Sequence, residues 1–257
     1  MDMEFAGKTS EELKKAASRN TIIIFPIGQT EEHGKHLPVM TDAFIAEKIA
    51  YGAAKRLHGK MPVLVMPTIW SGYSTREVRK WAGTVSLSLD TFMDMVLEIC
   101  GSLIDMGFRK IVLISSHGNH TGALEVVVRK IADLYGVYIA LTIPTVIARD
   151  EIASLLRAGR RGSCHGGEYE TSLMLYLAEE LVRKDRLTSA DILRIKSKFY
   201  PGKVFISTWG LQKSKTGIYG DPTVATKETG KKIFESILDV YSPFLIEYGR
   251  QKREKTK

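Results

Sequence analysis

The chain has 257 residues, 44% of them hydrophobic, enough to bury a sizeable core as one α/β domain spanning 1–257. No run of about 18 apolar residues occurs, and the Met-Asp-Met-Glu start lacks a basic region ahead of an apolar one. The expectation is therefore a cytoplasmic protein without a membrane span or signal peptide. The formal charge of +8 does not argue for nucleic acid, because five basic residues and one acid fall between Arg250 and Lys257. That run reads as a frayed basic tail at about 248–257 and leaves about +4 for the rest. Cys100 and Cys164 are the only cysteines, too few for a disulfide framework or a thiolate cage. A metal site in this chain would have to use His and carboxylates.

Taken in order, Ser10 to Ala17 reads as a short amphipathic helix and Thr21 to Pro26 as a first, β-branched strand. The loop from Ile27 leads to a helix over Asp42 to Leu57, with Ile45, Ile49 and Ala53 at helical spacing and Asp42 standing where an N-cap belongs. Val63 to Pro67 is a second strand, followed by an aromatic, Gly- and Ser-rich loop over Thr68 to Gly83. Ser88 to Met106 is helical, Ile111 to Ile114 a third strand, Thr121 to Tyr135 helical and Val137 to Ile143 a fourth strand. This alternation predicts a mostly parallel sheet with helices on both faces. Further on come a helix over Leu173 to Leu181 and a last helical stretch, Lys227 to Tyr248, which Pro243 should kink or interrupt.

The chemistry sits between these elements. Five of the six histidines, His33, His36, His117, His120 and His165, fall in three loops, with only His58 elsewhere. The loop after the first strand carries Glu31, His33 and Asp42, two carboxylates and an imidazole of the kind that zinc, manganese or iron takes. The loops after the first and third strands would be neighbours at one edge of a parallel sheet. A Glu-x-His pair alone is usually only a solvated turn, and Asp42 could be no more than a cap. His36 and His120 read as loop-packing groups, and Cys164 beside His165 has no orienting acid in view. No Gly-x-Gly-x-x-Gly or phosphate-loop pattern follows a strand, which disfavours a nucleotide-binding module.

The ordered segments Pro26 to Asp42, His117-Gly118, His165 to Ser172 and Gly217 to Pro222 together resemble the signatures of the creatininase (creatinine amidohydrolase) family. The resemblance runs from about residue 20 to 235 and implies a three-layer αβα sandwich. It also implies a two-metal centre in which Glu31 and His117 hold one ion, His33 holds the other and Asp42 bridges. Zinc is the first choice for both ions, with manganese or iron as alternatives.

Two departures from the family pattern stand out. A further Glu ligand of creatininase falls on Asn119 here, so the second ion would need another carboxylate, Glu170 or Glu168. A Trp of creatininase falls on Arg161, which favours a polar, hydroxyl-rich substrate over a flat heterocycle. His165 and Glu170 are the candidate catalytic groups, and Ser74, Asn119 and Arg161 are candidate substrate contacts. Trp70, Tyr73 and Trp81 could line the pocket or simply pack the loop.

The implied function is metal-dependent hydrolysis of a small cyclic amide or related carbonyl compound. One alternative is cleavage of a carbon–carbon bond in a cyclic diketone derived from inositol, of the 3-dehydro-scyllo-inosose type. Another, of a different class, is a non-catalytic metal-containing scaffold. The expected partners are a small-molecule substrate and, as the resemblance implies, further copies of the chain in a homo-oligomer such as a hexamer, with neither nucleic acid nor membrane.

Overall fold

A computed structural model describes residues 3–191 and 214–251, so residues 252–257 of the expected tail lie outside the described residues. Four strands, β1 (Ile22–Ile27), β2 (Val63–Val65), β3 (Lys110–Ser115) and β4 (Ala140–Thr142), form one sheet in the order β2-β1-β3-β4. All three pairings are parallel, with Ile24 opposite Val65 on one side and Val112 on the other. The two central strands are buried along their whole length. That is why they read as continuous apolar runs rather than alternating ones.

Alternate residues of β1 enter opposite layers. Ile22 and Ile24 join a core with the helices α2 (Thr41–Leu57), α8 (Glu168–Leu177) and α9 (Lys227–Arg250), while Ile23, Phe25 and Ile27 face α4 (Leu89–Asp105) and α5 (Thr121–Tyr135). Shorter helices complete the described chain: α1 (Ser10–Ser18), α3 (Arg76–Arg79) inside the aromatic loop, α6 (Pro144–Ile147) and α7 (Arg149–Leu155). The result is the three-layer αβα sandwich.

Four local expectations change. The α2 helix begins at Thr41 and its cap residue is Met40, with no side-chain cap bond, so Asp42 is not an N-cap. Its carboxylate is directed into the loop cluster instead. The helix expected from Leu173 starts at Glu168 and ends at Leu177, because the glycine loop folds onto it: Tyr169 N–H donates to the Gly162 carbonyl and Thr171 N–H to that of Gly167. Glu179–Leu181 is a separate 3-10 turn. The last helix passes Pro243 without interruption and reaches Arg250, so residues 248–250 belong to the folded body. The buried stripe Ile233, Ile237, Tyr241, Leu245 and Tyr248 continues on both sides of the proline and outweighs the hydrogen bond it removes.

Candidate metal centre

β1 and β3 are adjacent and parallel, so their C-terminal tips bring the Glu31 and His117 loops together. Asp42 arrives from the first turn of α2, and Glu170 from the first turn of α8. Gly28 makes the approach of α2 possible: a Cβ there would collide with the backbone of Ala43 and come within 2.8 Å of the Asp42 carbonyl carbon.

Asp42 lies at the centre. Its Oδ2 is 2.9 Å from His117 Nδ1 and its Oδ1 is 3.3 Å from His33 Nε2. Glu31 Oε1 stands 3.4 Å from His117 Nδ1, and Glu170 Oε2 stands 3.7 Å from His33 Nε2. His33 donates from Nδ1 to the Glu31 carbonyl at 3.1 Å, which leaves its Nε2 facing the carboxylates. Three groups have ligand atoms within 4.8 Å of one another: Glu31, Asp42 and His117; His33, Asp42 and Glu170; and Glu31, His33 and His165.

The site's charge is unbalanced. Burial opposes charging His33, yet Asp42 and then Glu170 outweigh it and raise its pKa well above the usual imidazole value. His117 is raised in the same way, against burial, by Glu31 and Asp42. Burial also opposes ionising Asp42, but His33 and His117 hold its carboxyl far below the usual range. Glu170 is pushed up, by burial first and also by Asp42, against the pull of His33. Two buried carboxylates and a third largely covered one in one small volume call for positive charge. Glu31 Oε1, His33 Nε2 and Asp42 Oδ2 are buried and make no hydrogen bond. A ligand set of carboxylate oxygens and imidazole nitrogens with such orphaned atoms fits divalent metal ions.

The other sequence candidates fall on several sides of this cluster. Ser74 is fully buried; its hydroxyl donates to Glu31 Oε2 at 2.7 Å and accepts from Gln29 Nε2 at 2.6 Å, so it braces a carboxylate of the cluster. Glu168 belongs to none of the ligand groups, and its Oε2 accepts the Ala158 N–H at 2.7 Å. Arg161 is half-exposed and pairs with Asp221 at 3.2 Å. His120 packs on Phe92 and accepts the Tyr73 N–H at 3.0 Å; burial first, then His117, holds its pKa well below normal. Trp70 is exposed.

Two residues of the site are absent from the sequence reading. Glu32 lies against His165, with Oε1 3.4 Å from Nε2, and Tyr219 donates its backbone N–H to the His165 carbonyl. The signals available were the adjacency of Glu32 to Glu31 and His33 and the place of Tyr219 within the Gly217 to Pro222 segment.

The family model for creatininase, described as creatinine amidohydrolase, matches residues 6–245. The chain is 30% identical over 256 residues to a mycofactocin precursor peptide peptidase of Mycobacterium tuberculosis, covering 92% of this chain and 88% of that protein. It is 24% identical over 259 residues to a 3-dehydro-scyllo-inosose hydrolase of Thermotoga maritima, covering 91% and 80%. With a creatinine amidohydrolase of Pseudomonas putida it shares 26% over 238 residues, covering 86% and 87%. The fold matches a solved structure described as "Creatininase Mn" with a TM-score of 0.79 at 24% identity, covering 98% of this chain and all of that one.

Fold, ligand cluster and relatives together define a metal-dependent hydrolase, and the scaffold alternative falls away because these relatives are named as hydrolases and a peptidase. The chain belongs to the creatininase family. Among the described residues, no helix is long and apolar enough to cross a membrane.

Proposed function

We propose that this protein hydrolyses an amide bond of a small or peptide substrate at a centre for two divalent ions. The observation that carries this reading is the division of one carboxylate between two imidazoles: Asp42 turns Oδ2 to His117 and Oδ1 to His33. Glu31, Asp42 and His117 would hold one ion, and His33, Asp42 and Glu170 the other, so Glu170 supplies the carboxylate that Asn119 cannot. When bound, the two ions supply Lewis acidity, acidifying a water and polarising the substrate carbonyl.

The chain's own groups do the rest. The Ser74 hydroxyl fixes Glu31, and the Gly166 N–H fixes Glu170 Oε2 at 2.6 Å. Each carboxylate is thus oriented before any ion arrives. His165 Nδ1 stands 3.3 Å from Glu31 Oε1, at the edge of the cluster, where an imidazole can take a proton from the nucleophile and return it to the leaving nitrogen.

A second reading, cleavage of a cyclic diketone derived from inositol, is favoured by Arg161 and Asp221. They put a paired cation and anion beside the loop bonded to the His165 carbonyl, groups whose chemistry suits hydroxyls.

The test is to load the protein with zinc or manganese and assay it on creatinine, N-formyl compounds, short peptides and cyclic diketones, measuring bound metal in parallel. Two equivalents are expected in the wild type, about one in Glu170→Gln and none in Asp42→Ala. Retention of two equivalents by Asp42→Ala rejects the shared carboxylate. Turnover of the diketone alone rejects the amide reading in favour of the second.

A further inference from the structure

The imidazole of His165 is held between two carboxylates of consecutive residues: Nδ1 lies 3.3 Å from Glu31 Oε1 and Nε2 lies 3.4 Å from Glu32 Oε1. These carboxylates are not equivalent. Glu31 belongs to two of the three ligand groups, whereas Glu32 belongs to none. Glu32 also occupies the unspecified place in the Glu-x-His-Gly signature, so the family pattern assigns it nothing.

Its surroundings nevertheless fix it firmly. Oε2 accepts the Gly34 N–H at 2.8 Å, and the backbone N–H of Glu32 donates to Thr84 Oγ1 at 3.1 Å. The loop carrying Gly217 lies so close that a Cβ there would come within 2.6 Å of the Glu32 carboxyl carbon. From the other side the same loop grips His165, whose carbonyl accepts the N–H groups of Tyr219 and Gly220 at 2.9 and 2.7 Å. Carboxylate and imidazole are therefore clamped by one strand of backbone.

We propose that Glu32 is a positioning residue: it keeps the His165 proton on Nε2 and so presents Nδ1, as an acceptor, to the metal-ligand cluster. A neutral imidazole has one N–H to place, and the nitrogen that keeps it is set by the hydrogen bond the other side makes. The 3.4 Å approach of His165 Nε2 to Glu32 Oε1 is not itself a hydrogen bond in the structure; once Glu31 is engaged by an ion, a charge-assisted N–H···O⁻ bond between these two atoms would fix both tautomer and ring orientation. Nδ1 can then accept a proton from water or substrate and pass it on to a leaving atom, with no net change in the ring after the cycle. This assignment deepens the hydrolase reading and rests on it for its catalytic meaning, though the tautomer itself does not.

The experiment therefore reads both. Zinc-loaded protein with 15N-labelled histidine is recorded by long-range 1H–15N correlation, with His165→Asn identifying the His165 signals among the six histidines. The wild type should show the Nε2–H tautomer. Glu32→Gln should keep the bound zinc of the wild type while its His165 populates Nδ1–H. On whichever amide or diketone the wild type hydrolyses, Glu32→Gln should lower kcat by about tenfold or more with KM changed less than about twofold, and Glu32→Asp should recover part of the loss.

A wild-type Nδ1–H tautomer overturns the proposal even if no variant folds. A wild-type tautomer that persists in a folded Glu32→Gln overturns it as well, as does loss of zinc from that variant, which would make Glu32 a metal residue. If the wild type turns over nothing while the tautomer responds to Glu32 as expected, the hydrolase reading fails and the positioning contact stands.

Discussion

His33 and His36 are three residues apart and both buried, yet the structure shifts their pKa values in opposite directions. His33 faces Asp42 and Glu170, and its pKa rises. His36 faces Thr171, with Nε2 3.0 Å from the hydroxyl, and burial first, then the charges of His33 and His165, lowers its pKa to about 4. The sign of the consequence follows from linkage. Above about pH 6.5 His36 is neutral both folded and unfolded and costs nothing. As the pH falls from there toward 4, the unfolded chain takes up a proton that the folded chain refuses, so stability declines.

Between pH 7.5 and 5 the decline attributable to His36 should be about 2 kcal/mol. Denaturant unfolding of the wild type and of His36→Gln at both pH values checks this: the variant should lose about 2 kcal/mol less. Equal losses would mean that His36 is not held neutral by the fold. At this scale the sequence was legible where chemistry is concentrated in short spacing, as in Glu31, His33 and Asp42. It was not legible for Ser74, whose hydroxyl turns inward to Glu31, because a serine in a Gly-rich loop carries no sign of which way it points.

Among the elements, the decisive contact is the one between the end of β1 and the start of α2. The Pro-x-Gly end of the strand leaves no side chain at Gly28, and Ala43 and Asp42 pass through that space. Gly28→Ala should push the helix N-terminus outward at a cost of about 1–3 kcal/mol, the usual range for overpacking a tight contact. Because Asp42 rides on that turn, its reach to His33 and His117 should lengthen as well. Thermal unfolding in chelator, together with zinc titration, measures the two effects. An unchanged melting temperature and zinc affinity would show that the helix does not bear on the strand there.

The parallel sheet and the long helices followed from the alternation and periodicity of apolar residues, since β1 and β3 are largely apolar runs and α2, α4 and α5 carry regular apolar stripes. The start of α8 did not, because Gly166 and Gly167 suggest a loop until the Tyr169 and Thr171 N–H groups find their acceptors. Pro243 misled in the same way: its local rule predicts a break, and burial of Tyr241 and Leu245 on either side overrides it.

For the whole molecule, the cluster couples metal to folding. Its ligands come from four separate places in the chain: the loop after β1, the first turn of α2, the tip of β3 and the first turn of α8. An unfolded chain cannot present them together, so ions bind the folded state selectively and stabilise it by mass action. Without them, Glu31 and Asp42 remain buried beside Glu170, and against burial these carboxylates raise the pKa values of His33 and His117. An ion held at a hundredfold excess over its Kd contributes about 2.7 kcal/mol, which for a domain of this size raises Tm by about 5–10 °C. Dialysis against EDTA should therefore lower the melting temperature by at least that amount in calorimetry, and added zinc should restore it. Asp42→Ala should melt at a temperature that zinc leaves unchanged, because both of the groups proposed to hold an ion lose a member. If the wild type melts at the same temperature with and without chelator, the four segments do not converge on a metal in solution, and the reading of these strand tips as a catalytic centre fails with it.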